Sequence, residues 1–311
     1  MITRRTILAL LGWIAALALA APAHAQQKIR LGLLPFSESL GAVVADQQGF
    51  FKAEGLNVEI SNVGSGAQGV PLLLSGRMDI VFTNTVTTLQ ALEQGLDATI
   101  LAPGAVARSQ GPDTGAILVL TGTTPKELQG KRVAVNVINS TAWMYMSAFL
   151  DKHGVGRDQV RFVEVPFPQM NDALLNKQVD AIVQVEPFTS VVAQTGKVDV
   201  AGYLYIEAQP NADITQYIAL SSWVKSNPEA AAKFARAIVK GSEFANSNEP
   251  ATREINQKFT KLNPALKDAV LLPRLGTRVN SGELQKTMEL MLKYGLLKRP
   301  LDLGGRVLAQ P

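Results

Sequence analysis

One pattern of apolar and polar positions occurs twice in this chain, about 100 residues apart. Residues 73–82 read Leu-Leu-Ser-Gly-Arg-Met-Asp-Ile-Val-Phe, and residues 174–183 read Leu-Leu-Asn-Lys-Gln-Val-Asp-Ala-Ile-Val. Each copy is an apolar helix end, a short polar turn, and an aspartate, Asp79 or Asp180, that opens a buried strand. This period is too long for a solenoid and suits one α/β lobe, so the pattern predicts two similar lobes with a ligand cleft between them.

Strands and helices alternate through both predicted lobes. The pattern predicts a strand over residues 29–34, a helix over 40–53 that ends at Gly55, and a strand over 56–60. The same alternation returns from Val133 onwards. This spacing favours parallel sheets with helices on both faces.

The pattern becomes helical beyond Asn227, and we expect the C-terminal helices to pack on lobe one. The predicted division assigns residues 28–119 and 218–311 to lobe one and residues 120–217 to lobe two. The chain then crosses twice between the lobes, which predicts a two-strand hinge of limited freedom.

Residues 1–25 have the features of a signal peptide. Arg4 and Arg5 precede an apolar run, and Ala-His-Ala at residues 23–25 is a cleavage signal. The alternative is a membrane anchor, but the apolar run is shorter than the ~20 residues that span a bilayer. No Cys follows the cleavage signal, which excludes a lipoprotein anchor. We therefore predict export by the general secretory route or, from a weak twin-arginine resemblance, the twin-arginine route.

Composition narrows the class of protein. A hydrophobic fraction of 47% and a charged fraction of 18% are typical of a globular protein. Without Arg4 and Arg5 the net charge is about +2, too small to indicate nucleic-acid or membrane binding. The chain has no cysteine, and His153 is the one histidine beyond the predicted leader. The sequence therefore has few of the cysteines and histidines that zinc sites and Ser-His-Asp triads need. We predict a protein without metal, cofactor or catalytic residues.

Four segments resemble one known family. Residues 49–58 read Gly-Phe-Phe-Lys-Ala-Glu-Gly-Leu-Asn-Val, residues 74–80 read Leu-Ser-Gly-Arg-Met-Asp-Ile, residues 128–135 read Leu-Gln-Gly-Lys-Arg-Val-Ala-Val, and residues 180–188 run from Asp-Ala to Glu-Pro-Phe. In order and spacing they resemble periplasmic solute-binding proteins of ABC importers. The subfamily is the nitrate/sulfonate/taurine type, which is related to thiamine-pyrimidine-synthesis-like proteins.

This resemblance implies a periplasmic-binding-protein type II fold, in which two α/β lobes close over one small solute. It also implies a monomer in the periplasm that delivers the solute to an ABC permease at the inner membrane, without a nucleic-acid partner. The chain departs from the family twice. Asn139 stands where many relatives have glycine in a Gly-Ser-Thr turn, and Glu38 brings a negative charge to a site often used for anions.

Ligands of parallel sheets bind beyond the carboxyl ends of the strands, which nominates the loops there. Helix N-termini in these loops suit an oxyanion, although each polar residue could instead only cap its helix. Phe36 could stack on a ligand ring, and Arg108 could clamp a carboxylate. Glu186 could accept hydrogen bonds from an amine or cap the next helix. The predicted ligand-binding residues are Phe36, Ser37, Glu38, Ser65, Gly66, Thr83, Asn84, Thr85, Arg108, Asn139, Ser140, Thr141, Phe167, Glu186 and Phe188.

The helix N-termini favour a small organic acid or sulfonate as the solute. Glu38 and Glu186 favour a ligand with hydrogen-bond donors, such as an aminopyrimidine. Two other functions remain open: an exported biosynthetic enzyme with Glu38 and Glu186 as its acid/base pair, and a sensor that presents a ligand to a membrane receptor.

Overall fold

The computed structural model describes residues 27–309, so the predicted signal peptide lies outside the described residues. The strands are β1 (Gln27–Leu33), β2 (Leu56–Asn62), β3 (Ile80–Asn84), β4 (Ala98–Pro103), β5 (Ala105–Val106), β6 (Gly115–Leu120), β7 (Arg132–Val135), β8 (Arg161–Glu164), β9 (Ala181–Val185), β10 (Val198–Tyr203), β11 (Thr215–Leu220) and β12 (Arg274–Leu275). The helices are α1 (Leu40–Gln47), α2 (Phe50–Ala53), α3 (Gly66–Leu74), α4 (Thr85–Glu93), α5 (Thr141–Lys152), α6 (Phe167–Leu175), α7 (Phe188–Ala193), α8 (Ser221–Ser226), α9 (Pro228–Ser247), α10 (Glu249–Thr260) and α11 (Ser281–Lys293). Short 3₁₀ turns occupy Ser37–Ser39, Pro125–Leu128, Arg157–Gln159 and Pro264–Leu266.

Two five-stranded sheets share one topology. The first has the order β2-β1-β3-β11-β4, and the second has the order β8-β7-β9-β6-β10. Most strands are parallel, but β11 in the first sheet and β6 in the second run antiparallel to both neighbours. Strands β7 to β10 thus repeat β1 to β4, and we call each sheet with its helices a lobe. The predicted mixed α/β fold with two similar, mainly parallel sheets is confirmed.

The predicted lobe boundaries differ from the sheets by a few residues. Strand β6 pairs with β9 and β10, so residues 115–119, predicted in lobe one, lie in the second sheet. Strand β11 pairs with β3 and β4, so residues 215–217 lie in the first sheet. The cause is that an apolar strand next to a crossing carries no local signal of which sheet it joins. The two connections are therefore residues 107–114 and 204–214.

These two connections lie side by side. The amide of Ala107 donates to the carbonyl of Ala212 at 2.9 Å, and the amide of Ile214 donates to the carbonyl of Ala105 at 3.0 Å. The two connections therefore form a paired, two-stranded link between the sheets, the arrangement expected of a two-strand hinge.

The repeated aspartates have equivalent structural roles. Asp79 accepts hydrogen bonds from the backbone amide, Nε and Nη2 of Arg30 at 2.8, 2.9 and 2.6 Å. Asp180 accepts from the backbone amide and Nε of Arg132 at 2.9 and 3.4 Å. Each aspartate therefore ties the beginning of the third strand of its lobe to the first strand.

Replacing Asp79 with alanine is expected to lower the free energy of unfolding by about 1–3 kcal/mol, because it breaks a charge-assisted, bidentate pair. The Asp180→Ala change should cost less, since the Asp180 side chain is 31% exposed against 13% for Asp79 and its pairing is longer. Urea denaturation of both variants measures the difference. Equal losses would contradict this ranking.

The C-terminal helices α9 and α10 pack on α1 in the first lobe. Helix α11 packs on α4 of the same lobe, and beyond its end the Tyr294 hydroxyl donates to Asp151 of α5 at 2.8 Å. The prediction that the C-terminal helices pack on lobe one is confirmed, and the segment after α11 also contacts the second lobe. The predicted helix over 40–53 is two helices, because Gly49 between α1 and α2 takes a φ of 75°. Within residues 27–309 no helix has the length and apolarity needed to cross a membrane.

Candidate functional site

A cleft of about 400 Å³ lies between the two lobes, at the carboxyl ends of the parallel strands. Most of its first-lobe lining comes from the ends of β1, β2 and β3 and the loops after them, and most of its second-lobe lining comes from the loops after β7 and β8. The end of β9, the second connection and the start of β11 complete it. The lining residues are Leu34, Pro35, Phe36, Glu38, Val63, Gly64, Ser65, Gln68, Asn84, Asn136, Val137, Ser140, Thr141, Ala142, Pro166, Phe167, Pro168, Val185, Tyr205, Ile214 and Thr215.

Four helices begin at this cleft, two from each lobe. Ser65 caps α3 by accepting from the amide of Gln68, and Asn84 caps α4 by accepting from the amide of Thr87 at 2.8 Å. Ser140 and Pro166 directly precede α5 and α6. The first-turn amides of a helix lack partners within the helix, and this end carries the positive pole of the helix dipole. The arrangement therefore favours negative charge in the cleft.

Hydrogen bonds join the lobes beside these helix ends. The Thr141 hydroxyl donates to Oδ1 of Asn84 at 2.8 Å, and Nε2 of Gln90 donates to the carbonyl of Asn139 at 3.2 Å. Asn139 takes a φ of 61°, in the left-handed region where asparagine substitutes best for glycine. Asn139 therefore supplies a backbone conformation that glycine adopts readily.

Aromatic rings form the apolar part of the cleft. The Phe36 ring of the first lobe meets the Phe167 ring of the second edge to face, with centroids 5.4 Å apart. Phe188 meets Phe36 with centroids 6.3 Å apart but does not line the cleft. Such contacts add about 0.5–1.5 kcal/mol per pair beyond the area that they bury. Phe36 and Phe167 therefore offer a preformed apolar surface shared by both lobes.

Glu38 is the one carboxyl group in the described lining, and it is 6% exposed. The Tyr205 hydroxyl donates to its Oε1 at 3.3 Å. Burial, and to a lesser extent the charge of Asp113, raise the pKa of Glu38 to about 7 against the opposing effect of the Tyr205 hydrogen bond. No Lys, Arg or His is among these lining residues, so none of them neutralises Glu38. Within residues 27–309 no cluster of His, Cys, Asp and Glu could hold a metal ion.

The stability of the ligand-free protein is expected to fall as the pH rises from about 5 to about 8. Glu38 has a pKa of about 7 when folded, above the unfolded value, so its stabilising contribution is complete below the unfolded pKa and is lost as the pH rises through about 7. The loss is on the order of 2–3 kcal/mol. Thermal melts at pH 5.5 and 8 measure it. Glu38→Gln should reduce the difference, and an unchanged difference in that variant would contradict the assignment.

Seven predicted site residues line the cleft: Phe36, Glu38, Ser65, Asn84, Ser140, Thr141 and Phe167. Gly66 follows Ser65 as the first residue of α3. Ser37 and Thr83 are fully buried beside the lining, and their hydroxyls have no partner among the described residues. The Thr85 hydroxyl donates to the carbonyl of Asp213 at 2.5 Å and so faces the second connection.

Arg108, Glu186, Asn139 and Phe188 also lie outside the lining. Nη2 of Arg108 donates to the carbonyl of Leu272, which holds the loop before β12 against the first connection. Glu186 accepts from the amide and hydroxyl of Ser190 in α7 at 3.2 and 2.7 Å. This is the capping role that the sequence left open. Of the two glutamates, Glu38 lines the cleft and Glu186 does not.

Tyr205 is the main lining residue that the sequence did not reveal. It lies on the second connection, far in sequence from the strand-end loops of the first lobe that it faces. Gln68, Asn136 and Thr215 were also missed, although the rule of strand-end loops nominates the position of Asn136 after β7. Tyr205 has no local signal, because its position follows from how the connection folds back over the cleft.

Comparisons with known proteins agree with this architecture. A family model described as NMT1/THI5 like matches residues 37–251. YtlA of Bacillus subtilis (strain 168), provisionally described as a binding protein, is 23% identical over 225 residues, covering 71% of this chain and 67% of YtlA.

Three solved structures have the same fold. The periplasmic aliphatic sulphonate binding protein SsuA from Escherichia coli is 19% identical, with a TM-score of 0.72 over 90% of this chain and 97% of SsuA. The alkanesulfonate-binding protein SsuA from Xanthomonas axonopodis pv. citri, bound to MOPS, is 16% identical, with a TM-score of 0.75 over 92% and 99%. The periplasmic nitrate-binding protein NrtA from Synechocystis PCC 6803 is 15% identical, with a TM-score of 0.74 over 90% and 84%.

Proposed function

The chain belongs to the NMT1/THI5-like family, and from this premise we propose that it is the periplasmic substrate-binding component of an ABC import system. As a monomer, it captures a small organic solute, an organic acid or sulfonate, between its two lobes and delivers it to the permease. The predicted signal peptide provides its export. Its role is binding without turnover, as for the sulfonate- and nitrate-binding neighbours.

The observation that carries this proposal is the convergence of four helix N-termini on one cleft between two hinged lobes. The capping residues Ser65 and Asn84 come from one lobe, and Ser140 and Pro166 come from the other. An anionic group placed among them would receive amide donors from both lobes at once. Such a ligand favours the state in which the lobes are together, which is what a capture protein requires.

The apolar lining favours an organic solute over a bare inorganic ion. Phe36 and Phe167 present ring surface from both sides, and a cleft of about 400 Å³ lies in the range of pockets for small molecules. We therefore expect the anionic group to face the helix N-termini and the carbon skeleton to contact the two rings.

Glu38 supports a second candidate, a pyrimidine or thiamine-precursor ligand. A buried carboxyl without a neighbouring cation accepts hydrogen bonds from ring N–H or amino groups. An exported biosynthetic enzyme on the same scaffold has less support, since Glu186 caps α7 outside the cleft.

Mass spectrometry of co-purified small molecules and thermal-shift screening test these candidates. The panel contains aryl- and alkylsulfonates, carboxylates, nitrate and aminopyrimidines. Val137→Trp should abolish a positive response by filling the cleft, whereas Val200→Trp, at a 44% exposed valine on β10, should preserve it. Silence across the whole panel, with nothing co-purified, would overturn the proposed function.

A further inference from the structure

We propose that Glu38 determines the specificity of the cleft by holding a proton that the protein takes up together with an anionic solute. This inference rests on the proposed function and adds how the cleft can bind an anion beside the Glu38 carboxyl group. Neutral Glu38 donates a hydrogen bond to the bound anion, whereas ionised Glu38 repels it. The solute is thus taken as an anion plus one proton.

The geometry supplies the argument. Glu38 lies in the same cleft as the four helix N-termini, 6% exposed and enclosed by the first lobe and the second connection. An anion drawn to the helix ends therefore shares a desolvated space with this carboxyl. Two negative charges inside one cleft repel each other more strongly than in open water, because less water screens them. Protonation of Glu38 removes that repulsion and turns its carboxyl from an acceptor into a donor.

Burial and the charge of Asp113 favour the neutral form of Glu38 over the opposing effect of the Tyr205 hydrogen bond. Tyr205 of the second connection donates to Oε1, and Asp113 of the first connection adds a negative charge nearby. Asp113 is itself held by the amides of Arg108 and Thr114, with the charges of Arg108 and Arg274 beside it. No cation among the described lining residues competes for Glu38.

The pKa of about 7 for Glu38 places this exchange in the physiological range. An anion in the cleft raises the pKa of Glu38 further, because it disfavours the second charge. Anion binding above pH 7 therefore takes up close to one proton. By linkage, the affinity falls by up to about tenfold for each pH unit above 7 and levels off below it.

Benzenesulfonate is a suitable probe, because it stays ionised throughout the range tested and its own titration cannot produce a pH dependence. Isothermal titration calorimetry at pH 5.5, 6.5, 7.5 and 8.5 gives the affinity. Titrations at pH 8 in buffers of different ionisation enthalpy count the protons taken up by the wild-type protein. Glu38→Gln is the test variant. Glu186→Gln is the matched control, since Glu186 is also buried with a pKa raised by burial but lies outside the cleft.

The expected result is an affinity that falls with pH in the wild type and in Glu186→Gln, a flat profile in Glu38→Gln, and uptake of about one proton at pH 8. A flat wild-type profile, or uptake of no proton, would overturn the inference even if Glu38→Gln fails to fold. Absence of benzenesulfonate binding at every pH would overturn it too. The proposed function would survive that outcome if another member of the panel bound.

Discussion

Replacing Gly241 with alanine is expected to destabilise the protein by about 3 kcal/mol, although alanine is the better helix former. Gly241 lies in the middle of α9, where a Cβ atom would stand 2.3 Å from the carbonyl oxygen of Gly41 and 3.0 Å from the amide nitrogen of Ala45 in α1. Both are backbone atoms of a packed helix, so neither can rotate away. The added methyl therefore forces α1 and α9 apart, which costs more than the ~1 kcal/mol of helix propensity that alanine supplies.

Thermal and urea denaturation measure this loss, and Gly156→Ala is the matched control. A Cβ at Gly156 would lie 3.5 Å from its nearest neighbour, an ordinary contact, and its φ of −65° suits alanine. That variant should stay within ~0.5 kcal/mol of the wild type or gain slightly. If Gly241→Ala were as stable as the wild type, the close packing of α1 against α9 would be contradicted.

The lobe repeat was predictable from sequence because it rests on local patterns. The two aspartates precede equivalent strands. The spacing of apolar residues distinguishes strands from helices within a short window of sequence. The boundaries at β6 and β11 could not be placed in the same way. Each of these strands enters the sheet opposite in direction to its neighbours, and that placement depends on partners about 65 to 135 residues away in sequence.

The site residues that could be predicted from sequence are those that lie where a helix begins. Asn84 and Ser140 follow strands and precede helices, so their place at the cleft follows from a general rule. Glu186 satisfies the same rule, yet its carboxylate accepts from Ser190 in the helix that follows it and does not line the cleft. Tyr205 and its contact with Glu38 join segments 167 residues apart, and no periodicity reports such a pair.

Helix ends and Glu38 act on an anion in opposite directions, and their balance makes the cleft sensitive to a single added charge. Asn84→Asp is therefore expected to weaken binding of an anionic solute such as benzenesulfonate by about 100-fold at pH 7.5, since like charges about 5 Å apart in a partly buried site repel by about 3 kcal/mol. The fold should be unaffected. Oδ1 of Asn84 accepts from both the Thr87 amide and the Thr141 hydroxyl, and an aspartate oxygen accepts both equally well.

Asn263→Asp is the matched control, because Asn263 is an exposed cap that accepts from the amide of Ala265 at 3.1 Å and does not line the cleft. It makes the same chemical change and should leave the affinity within about twofold, since salt screens an exposed charge outside the cleft. Calorimetry of both variants also distinguishes an organic acid from an aminopyrimidine-like ligand.

An aminated heterocycle that binds as a cation would bind more tightly to Asn84→Asp, because the added carboxylate attracts it. Tighter binding of the natural solute to this variant would therefore rule out the organic acid and leave the donor-bearing ligand that Glu38 favours when ionised.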